Sequence, residues 1–301
     1  MKYIKHSILQ PIPALLLIVT LFSCTKDPVN NGGGGPGGGD TATLAERIIM
    51  DTAYGTDPKQ KLDIYLPANR DHTTKLLIMI HGGAWNAGDK SEGAYTQAIQ
   101  LFRQKWPEIA VANINYRLAN NTNTHYHEIM NDISAAVNFM VSNKNYFKIS
   151  DTLVMMGASA GAHLAMLYAY SYNNHSYVKS VADFFGPSIL SDWDWYNSYN
   201  IWMGVAIKDL LINFNGAPWD KPLYDSNSPY WVATSQTAPT IIFHGSLDVI
   251  VPLYQSQWLH SKLNTLGVAN EYHEYVDGHG FNSTNMADAI TKSVIFFKQH
   301  L

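Results

Sequence analysis

Hydrophobic and polar positions along the chain follow two patterns that alternate, one typical of strands and one typical of helices. Short continuous apolar runs occur at residues 75–80, 109–114 and 153–156, and runs of this kind form strands buried on both faces. Residues 61–67 alternate between apolar and polar, as expected of a half-exposed strand. Over residues 127–142 the apolar positions recur at helical spacing, which predicts an amphipathic helix. Strand and helix signals therefore take turns from about residue 43 onward.

The same alternation continues to the C-terminus. A helix is expected directly after residue 159 and another at the end of the chain. The remaining predicted elements are strands at 178–184, 240–243 and 271–276 and a helix over 254–266. Repeated strand–helix alternation predicts an α/β fold, with a mainly parallel central sheet and helices on both faces.

Residues 187–239 interrupt this alternation of strands and helices. Five of the eight tryptophans of the chain lie in this segment, together with many Tyr and Asn residues, and its periodicity is weak. We expect a cap insertion that folds over the carboxyl edge of the sheet, where α/β proteins bind their ligands.

The N-terminal residues have a different composition. Lys2 and Lys5 precede an apolar stretch at 14–22, which is shorter than the roughly 20 residues of a membrane span but suits a signal peptide. Cys24, the only cysteine, follows Leu-Phe-Ser in a pattern that resembles a bacterial lipobox. The expectation is a signal peptide over 1–23, lipidation of Cys24, and an exported protein anchored to the bacterial cell envelope.

A glycine-rich segment follows Cys24. Residues 30–39 cannot bury apolar surface, so 24–42 is expected to be a flexible tether that precedes a folded domain over 43–301. The formal net charge of the 301-residue chain is −4 and no run of Lys and Arg occurs, so nucleic acid is not an expected partner.

The sequence Gly157-Ala-Ser-Ala-Gly161 fits the pattern G-x-S-x-G between a predicted strand and a predicted helix. A turn this sharp leaves little space for side chains beside the serine, which explains its small neighbours. Ser159 would then lie exposed at the edge of the sheet, where the following helix directs its free N–H groups. We interpret Ser159 as a candidate nucleophile.

A serine nucleophile requires a base and an orienting acid, which follow in the order Ser, Asp or Glu, His in α/β-hydrolases. Asp248 lies just after the predicted strand at 240–243, and His279 lies between glycines after the strand at 271–276. These two residues are the favoured acid and base. The rival residues are the acids Asp220, Asp225 and Asp277 and the histidines His163 and His244.

The motif His81-Gly-Gly-Ala-Trp85 follows the predicted strand at 75–80. A loop in this position supplies backbone N–H groups to an oxyanion hole, together with the residue after the nucleophile, here Ala160. Glycines allow the backbone to approach a carbonyl oxygen without an intervening side chain.

Together these stretches resemble α/β-hydrolase fold esterases of the His-Gly-Gly type, which are related to hormone-sensitive lipase. The likeness runs from about residue 53 to the C-terminus and includes Gly88-Asp-Lys90 and Asn115-Tyr-Arg-Leu118. Within that group the chain looks most like bacterial feruloyl and acetyl xylan esterases. The resemblance implies oxyanion donors at Gly83, Ala84 and Ala160, with Gly82 a further candidate, and a glycan ester as substrate.

The chemistry expected is acyl transfer through an acyl-enzyme, without a cofactor or metal. His125-Tyr-His-Glu128 has metal-ligating residue types, but it begins a predicted helix in a polar loop. Three alternatives stay open. The Gly-Gly-x-Trp loop also resembles kynurenine formamidases, and residues 244–256 resemble prolyl oligopeptidases. The third alternative is a non-catalytic surface binding protein.

Overall fold

The structure, a computed structural model, describes residues 44–301. The expected signal peptide, Cys24 and the tether over 24–42 lie outside these residues. Within the described part of the chain, no helix has both the length and the apolar character needed to cross a bilayer.

Ten strands form in residues 44–301. They are β1 (Arg47–Ala53), β2 (Lys61–Leu66), β3 (Leu76–Ile80), β4 (Ala110–Ile114), β5 (Leu153–Ala158), β6 (Val178–Phe184), β7 (Ile201–Trp202), β8 (Val205–Ala206), β9 (Thr240–Gly245) and β10 (Asn270–Tyr275).

The same residues form ten α-helices and one π-helical turn, Tyr168–Tyr172, which continues α4. The helices are α1 (Gly93–Lys105), α2 (Tyr126–Ser142), α3 (Lys144–Phe147), α4 (Ala160–Leu167), α5 (Trp193–Tyr196), α6 (Ile207–Asn215), α7 (Lys221–Ser226), α8 (Pro229–Val232), α9 (Leu253–Thr265) and α10 (Ser283–Gln299).

Eight strands pair into one sheet in the order β1-β2-β4-β3-β5-β6-β9-β10. The β1–β2 and β2–β4 pairs are antiparallel, and every pair from β4 to β10 is parallel. Parallel pairing places the carboxyl ends of β3, β5, β9 and β10 at one edge of the sheet. The predicted α/β architecture with a mainly parallel sheet is confirmed.

The central strands are buried on both faces, which explains their continuous apolar sequences. In β3, Ile78 and Ile80 pack in one hydrophobic core, whereas Leu77 and Met79 pack in a second core on the opposite face. Because successive side chains of a strand point to opposite faces, such a strand needs apolar residues at every position.

The prediction of a half-exposed strand at 61–67 holds at Lys61 and Tyr65, which are partly exposed, but is wrong at Asp63 between them. Asp63, a polar position of the alternation, is 1% exposed within β2. The Nζ atom of Lys90 lies 2.7 Å from Oδ1 of Asp63 and compensates its charge. Asn115 holds this region by accepting a hydrogen bond from the N–H of Lys90 at 2.6 Å and donating one to Asp89 at 2.7 Å. The alternation in β2 therefore reflects a partly exposed face with a buried ion pair at its centre.

Outside the insertion, strand β1 and helices α1 and α3 were not predicted from the sequence. Strand β1 is an edge strand with mostly exposed side chains, so its pattern does not resemble a buried run. Helix α1 buries only Ala98, Ile99 and Phe102 against the sheet, which leaves most of its length polar.

The segment predicted as a cap insertion contains the two-stranded ribbon β7–β8 and the short helices α5 to α8, between β6 and β9. Some of its apolar residues are buried, including Leu211, Phe214 and Tyr224, whereas Ile201 and Met203 are exposed. Trp195 attaches it to the loop after β9, because its Nε1–H donates to the carbonyl oxygen of Ile250 at 2.8 Å.

Candidate active site

Ser159 occupies a strained turn between β5 and α4. Its φ is 54° and its ψ is −122°, in a region that residues with a side chain rarely adopt. Such a residue costs of order 1–3 kcal/mol and persists only where its surroundings impose it. The N–H of Ser159 donates to the carbonyl oxygen of Phe184 at 2.8 Å, which fixes the turn against β6.

The flanking glycines are required by close backbone contacts. A Cβ on Gly161 would lie 2.2 Å from the carbonyl oxygen of Ile80, and one on Gly157 would lie 2.2 Å from the carbonyl carbon of Gly161. The elbow therefore brings β5, α4 and the end of β3 too close together for any larger residue, as the sequence predicted.

His279 lies in the loop after β10 and contacts both partners expected for a catalytic base. Its Nε2 is 2.8 Å from Oγ of Ser159, and its Nδ1 is 2.7 Å from Oδ2 of Asp248. In the tautomer that satisfies both contacts, Nδ1–H donates to the carboxylate and Nε2 accepts from the serine hydroxyl. The structure thus brings the three predicted residues together at the carboxyl edge of the sheet.

Asp248 is held as a buried carboxylate. Its Oδ1 accepts hydrogen bonds from the backbone N–H groups of Ile250 at 2.8 Å and Val251 at 3.0 Å. Burial raises the pKa of Asp248, but hydrogen bonds from His244 and His279 outweigh it and hold this pKa well below its usual range. Asp248 therefore stays ionised where a histidine base is active.

His244, at the end of β9, contacts the same oxygen of Asp248 as His279. Its Nε2 lies 3.0 Å from the carbonyl oxygen of Val251 and 3.2 Å from Oδ2 of Asp248, so a single N–H serves both acceptors. Its Nδ1 accepts from the hydroxyl of Ser256, 2.7 Å away in α9. Sequence reasoning gave no signal for Ser256, which is fully buried and reaches His244 only through the packing of α9 on the sheet.

The rival acids have other contacts. Asp277 accepts hydrogen bonds from Asn282 and Asn285 next to the loop of His279. Asp220 caps α7, and Asp225 forms an ion pair with a lysine of the same helix.

The rival histidine His163 is fully buried in α4. Its Nδ1 accepts from the indole N–H of Trp85 at 3.2 Å, and its Nε2–H donates to the carbonyl oxygen of Asn227 at 2.7 Å. Burial lowers the pKa of His163 to about 4, so it is neutral and connects the insertion to α4.

The backbone of the loop after β3 has a conformation that can present N–H groups as hydrogen-bond donors to a ligand. Gly83 has a φ of 110°, and Ala84 and Trp85 have φ values of 49° and 64°. Within residues 44–301, no protein group accepts from the N–H of Gly83, Ala84 or Ala160, the last of these being at the N-terminus of α4. These three N–H groups are available to a ligand beside Ser159.

Gly82 differs from its neighbours. Its N–H donates to the hydroxyl of Tyr95 in α1 at 2.6 Å, which removes it from the set of free donors. A Cβ at Gly82 would approach the carbonyl oxygen of Ala158 to 2.7 Å, so the glycine is needed for packing. Tyr95 was not recognised in the sequence because α1 itself was not predicted.

His81 supports the same loop. Its ring stacks on Tyr116 with centroids 4.4 Å apart, and its Nδ1 lies 2.7 Å from the carbonyl oxygen of Gly82. Burial lowers the pKa of His81 to about 4, so the neutral ring donates this hydrogen bond from Nδ1.

A cleft of about 630 Å³ opens beside Ser159 and His279. Its walls are mainly apolar and aromatic, with contributions from Tyr95, Phe185 and Phe281. A cleft of this size and character suits a small organic ligand or one part of a larger one.

The residues with metal-ligating side chains at the start of α2 serve as a helix cap. Glu128 accepts from the N–H of His125 at 3.0 Å, and Nδ1 of His125 lies 2.8 Å from the carbonyl oxygen of Asn213. In the described part of the chain, no three His, Cys, Asp or Glu residues are grouped as a metal site requires.

Several known proteins are similar to this chain. Isoprenylcysteine alpha-carbonyl methylesterase ICME of Arabidopsis thaliana is 24% identical over 241 residues, which cover 76% of this chain and 55% of that protein. Esterase LipC of Mycobacterium tuberculosis is 24% identical over 245 residues, with 76% and 59% covered. Kynurenine formamidase of Danio rerio is 30% identical over 130 residues, with 43% and 41% covered. The chain spans little more than half the length of the first two relatives.

A solved structure described as a truncated form of a carbohydrate esterase from gut microbiota has the same fold. Its TM-score is 0.69 at 21% identity, and the alignment covers 84% of this chain and 96% of that one. This likeness supports the α/β-hydrolase fold. The model of the BD-FAE family matches residues 62–263, more than half of the chain. The chain therefore belongs to the BD-FAE family.

Proposed function

We propose that this protein is a serine hydrolase of carboxylic esters. The observation that carries the proposal is the position of His279, with Nε2 2.8 Å from Oγ of Ser159 and Nδ1 2.7 Å from Oδ2 of Asp248. A nucleophile, a base and an orienting acid in direct contact are the requirements for covalent acyl transfer. The relatives named as esterases support the same reaction class.

In the first half of the reaction, Nε2 of His279 takes the hydroxyl proton of Ser159 as Oγ attacks the ester carbonyl carbon. The carbonyl π electrons move to its oxygen, and the N–H groups of Gly83, Ala84 and Ala160 stabilise this oxyanion. When the tetrahedral intermediate collapses, the bond to the alcohol oxygen breaks and the proton on Nε2 goes to the leaving alcohol.

In the second half, water replaces the alcohol. Nε2 of His279 takes a proton from the water, whose oxygen attacks the acyl carbon. Collapse of this second intermediate releases the carboxylic acid and returns the proton to Oγ of Ser159. Asp248 keeps its negative charge throughout and stabilises the imidazolium form of His279.

For the substrate, we propose acetyl or feruloyl esters on plant-type glycans such as xylan. The aromatic and apolar wall of the 630 Å³ cleft offers surfaces for a sugar or phenolic ring. The structural relative described as a carbohydrate esterase makes glycan esters the first substrates to test.

A second candidate function is hydrolysis of an aryl formamide. The kynurenine formamidase of Danio rerio, 30% identical over its matched region, supports this alternative. Formamide hydrolysis would use the same three residues and the same oxyanion donors, so the two functions differ only in the acyl group and the leaving group.

Hydrolysis of p-nitrophenyl acetate by the wild type and by Ser159→Ala tests the reaction class. We expect the variant to lose activity by a factor of about 10⁴ or more. Equal rates would refute the esterase proposal and favour a non-catalytic binding protein. A panel of acetylated xylo-oligosaccharides, methyl ferulate, N-formylkynurenine and a proline-containing peptide then compares the glycan ester, formamide and peptidase functions.

We also propose that the protein is exported and anchored to the cell envelope through a lipid on Cys24. The proposal depends on the sequence around Cys24 alone. Metabolic labelling with radioactive palmitate in a bacterial host tests it, with Cys24→Ser as the control. Label in both proteins, or in neither, would refute the anchor.

A further inference from the structure

Two cavities of very different size meet at Ser159. The 630 Å³ cleft contains His279, whereas a second pocket of about 20 Å³ lies towards the insertion and does not contain it. Ser159 and Trp202 of β7 line both cavities. The side chain of Trp202 therefore lies at the boundary between them.

The position of His279 determines which cavity receives the alcohol. A tetrahedral intermediate on Ser159 has three further substituents, which are the oxyanion, the leaving alcohol oxygen and the acyl carbon chain. The oxyanion points to the free N–H groups of Gly83, Ala84 and Ala160. The leaving oxygen has to be within reach of Nε2 of His279, which protonates it, so the alcohol occupies the large cleft.

The acyl chain then takes the remaining direction, into the small pocket. This pocket is lined by Ala84 and Ala160 on the oxyanion side, and by residues of the insertion and the loop after β9 on the other. It contains no charged side chain, as an acyl chain requires. We propose that the small pocket is the acyl subsite and that it accepts acetyl and excludes longer or aromatic acyl groups. This inference rests on the proposed esterase function and, of the two acyl groups proposed above, retains acetyl and excludes feruloyl.

The volume of the pocket supports this limit. About 10–15 Å³ on the same scale is enough for one water molecule, so 20 Å³ accommodates one small group such as a methyl. A feruloyl group has about ten more heavy atoms than an acetyl group and does not fit.

Most of the residues that line the pocket are firmly packed. Trp195, Ile207, Leu210 and Val251 are all buried. The hydrogen bond of Trp195 to Ile250 holds the insertion against the loop that also carries Asp248. Expansion of the pocket would require separation of these packed side chains, which costs free energy in a close-packed core.

A series of p-nitrophenyl esters with a constant leaving group tests the inference in the wild type. We expect kcat/KM to fall about 10-fold or more from acetate to butyrate and further to hexanoate, since each added methylene overfills the pocket. Rates for butyrate and hexanoate equal to that for acetate would overturn the acetyl limit while leaving the esterase function intact. No hydrolysis of any ester above the level of Ser159→Ala would instead overturn the proposed function.

Variants of the two cavities provide the matched comparison. Leu210→Ala enlarges the small pocket and should raise the butyrate-to-acetate ratio of kcat/KM at least about 10-fold. Met286→Ala enlarges only the large cleft, of which Met286 is a wall, and should leave this ratio unchanged. An equal change of the ratio in both variants would overturn the assignment of the small pocket. Ile207→Val is a milder enlargement that serves if Leu210→Ala does not fold.

Discussion

Nε2 of His279 lies 2.8 Å from Oγ of Ser159, although 120 positions separate the two residues in the sequence. The contact exists because β5 and β10 both end at the same edge of the parallel sheet, and each is followed by a short loop that carries one of the two side chains. The hydroxyl and the imidazole are therefore positioned by the sheet and not by a flexible segment, so the hydrogen bond is present before a substrate binds.

Asp248→Asn should lower kcat/KM by a factor of about 10⁴ without unfolding the protein. The amide oxygen can still accept from Ile250 and Val251, but the amide group that replaces Oδ2 donates to Nδ1 of His279 and imposes the wrong tautomer. Nε2 then carries the proton and no longer accepts from Ser159. Hydrolysis of p-nitrophenyl acetate measures the effect.

Asp277→Asn is the matched control for this prediction. Asp277 is close to His279 in sequence but accepts hydrogen bonds from Asn282 and Asn285. Its kcat/KM should stay within a few-fold of the wild type. A loss as large as that of Asp248→Asn would mean that Asp277 is the orienting acid.

His244→Leu should lower activity and change the pH profile of kcat/KM. The acidic limb, which is the part of the profile where kcat/KM falls as the pH decreases, should move to higher pH. The hydrogen bond from His244 lowers the pKa of Asp248, so its removal makes the carboxylate more basic and strengthens its hold on a protonated His279. The pH profile measures this shift.

His244→Gln tests whether the hydrogen bond is the cause. The glutamine amide can place an N–H near the position of Nε2 and should restore much of the wild-type profile. If both variants lose activity equally while the acidic limb stays at the wild-type pH, His244 has only a packing role.

Asp183→Asn should stabilise the protein at neutral pH. Burial raises the pKa of Asp183 from 3.8 to about 7, and its Oδ2 has no hydrogen-bond partner within the described residues. A raised pKa in the folded state means that stability falls as pH rises from about 4 to about 7, because the folded protein retains a proton that the unfolded chain releases. The amide side chain of the variant does not titrate, so the variant lacks this loss in the free energy of unfolding. The loss reaches about 4 kcal/mol, because one pKa unit corresponds to about 1.4 kcal/mol.

Urea unfolding of both proteins at pH 4.5, 6 and 8 measures the effect. The stability difference between variant and wild type should increase with pH over this range and then level off. A difference that is independent of pH would show that Asp183 does not titrate between these values.

Gly161→Ala should destabilise the protein by at least about 2 kcal/mol, because the added Cβ would lie 2.2 Å from the carbonyl oxygen of Ile80. Gly93→Ala, at the start of α1, is the control, since no atom lies within 4 Å of a Cβ there. It should change the free energy of unfolding by less than about 1 kcal/mol. Similar urea midpoints for the two variants would contradict the close contact at the elbow.

The elements that the sequence predicted well are those with a strong local period. The strands β3, β4 and β5 were found because burial on both faces demands apolar residues at every position. Strand β1 was missed because most of its side chains are exposed, and helix α1 because only Ala98, Ile99 and Phe102 are buried, so neither element shows a clear apolar pattern.

In the active site too, a residue whose role constrains its sequence neighbours could be identified, whereas residues whose role depends on distant contacts could not. Ser159 could be identified because its turn places steric demands on adjacent residues, and those demands appear as glycine and alanine in the sequence. The roles of Ser256 and Tyr95 could not be identified, because each contacts its partner only after helices and strands distant in sequence have packed together.

By itself, the sequence determined the α/β class, the position of the elbow and a short set of acids and histidines, because periodicity and backbone sterics act between near neighbours. Only the tertiary structure placed Asp248 in contact with His279, paired the N–H of Gly82 with Tyr95, and set the two cavities beside Ser159 to about 630 and 20 Å³. These features depend on distances between side chains from separate elements, and such distances follow from how the sheet, its helices and the insertion pack.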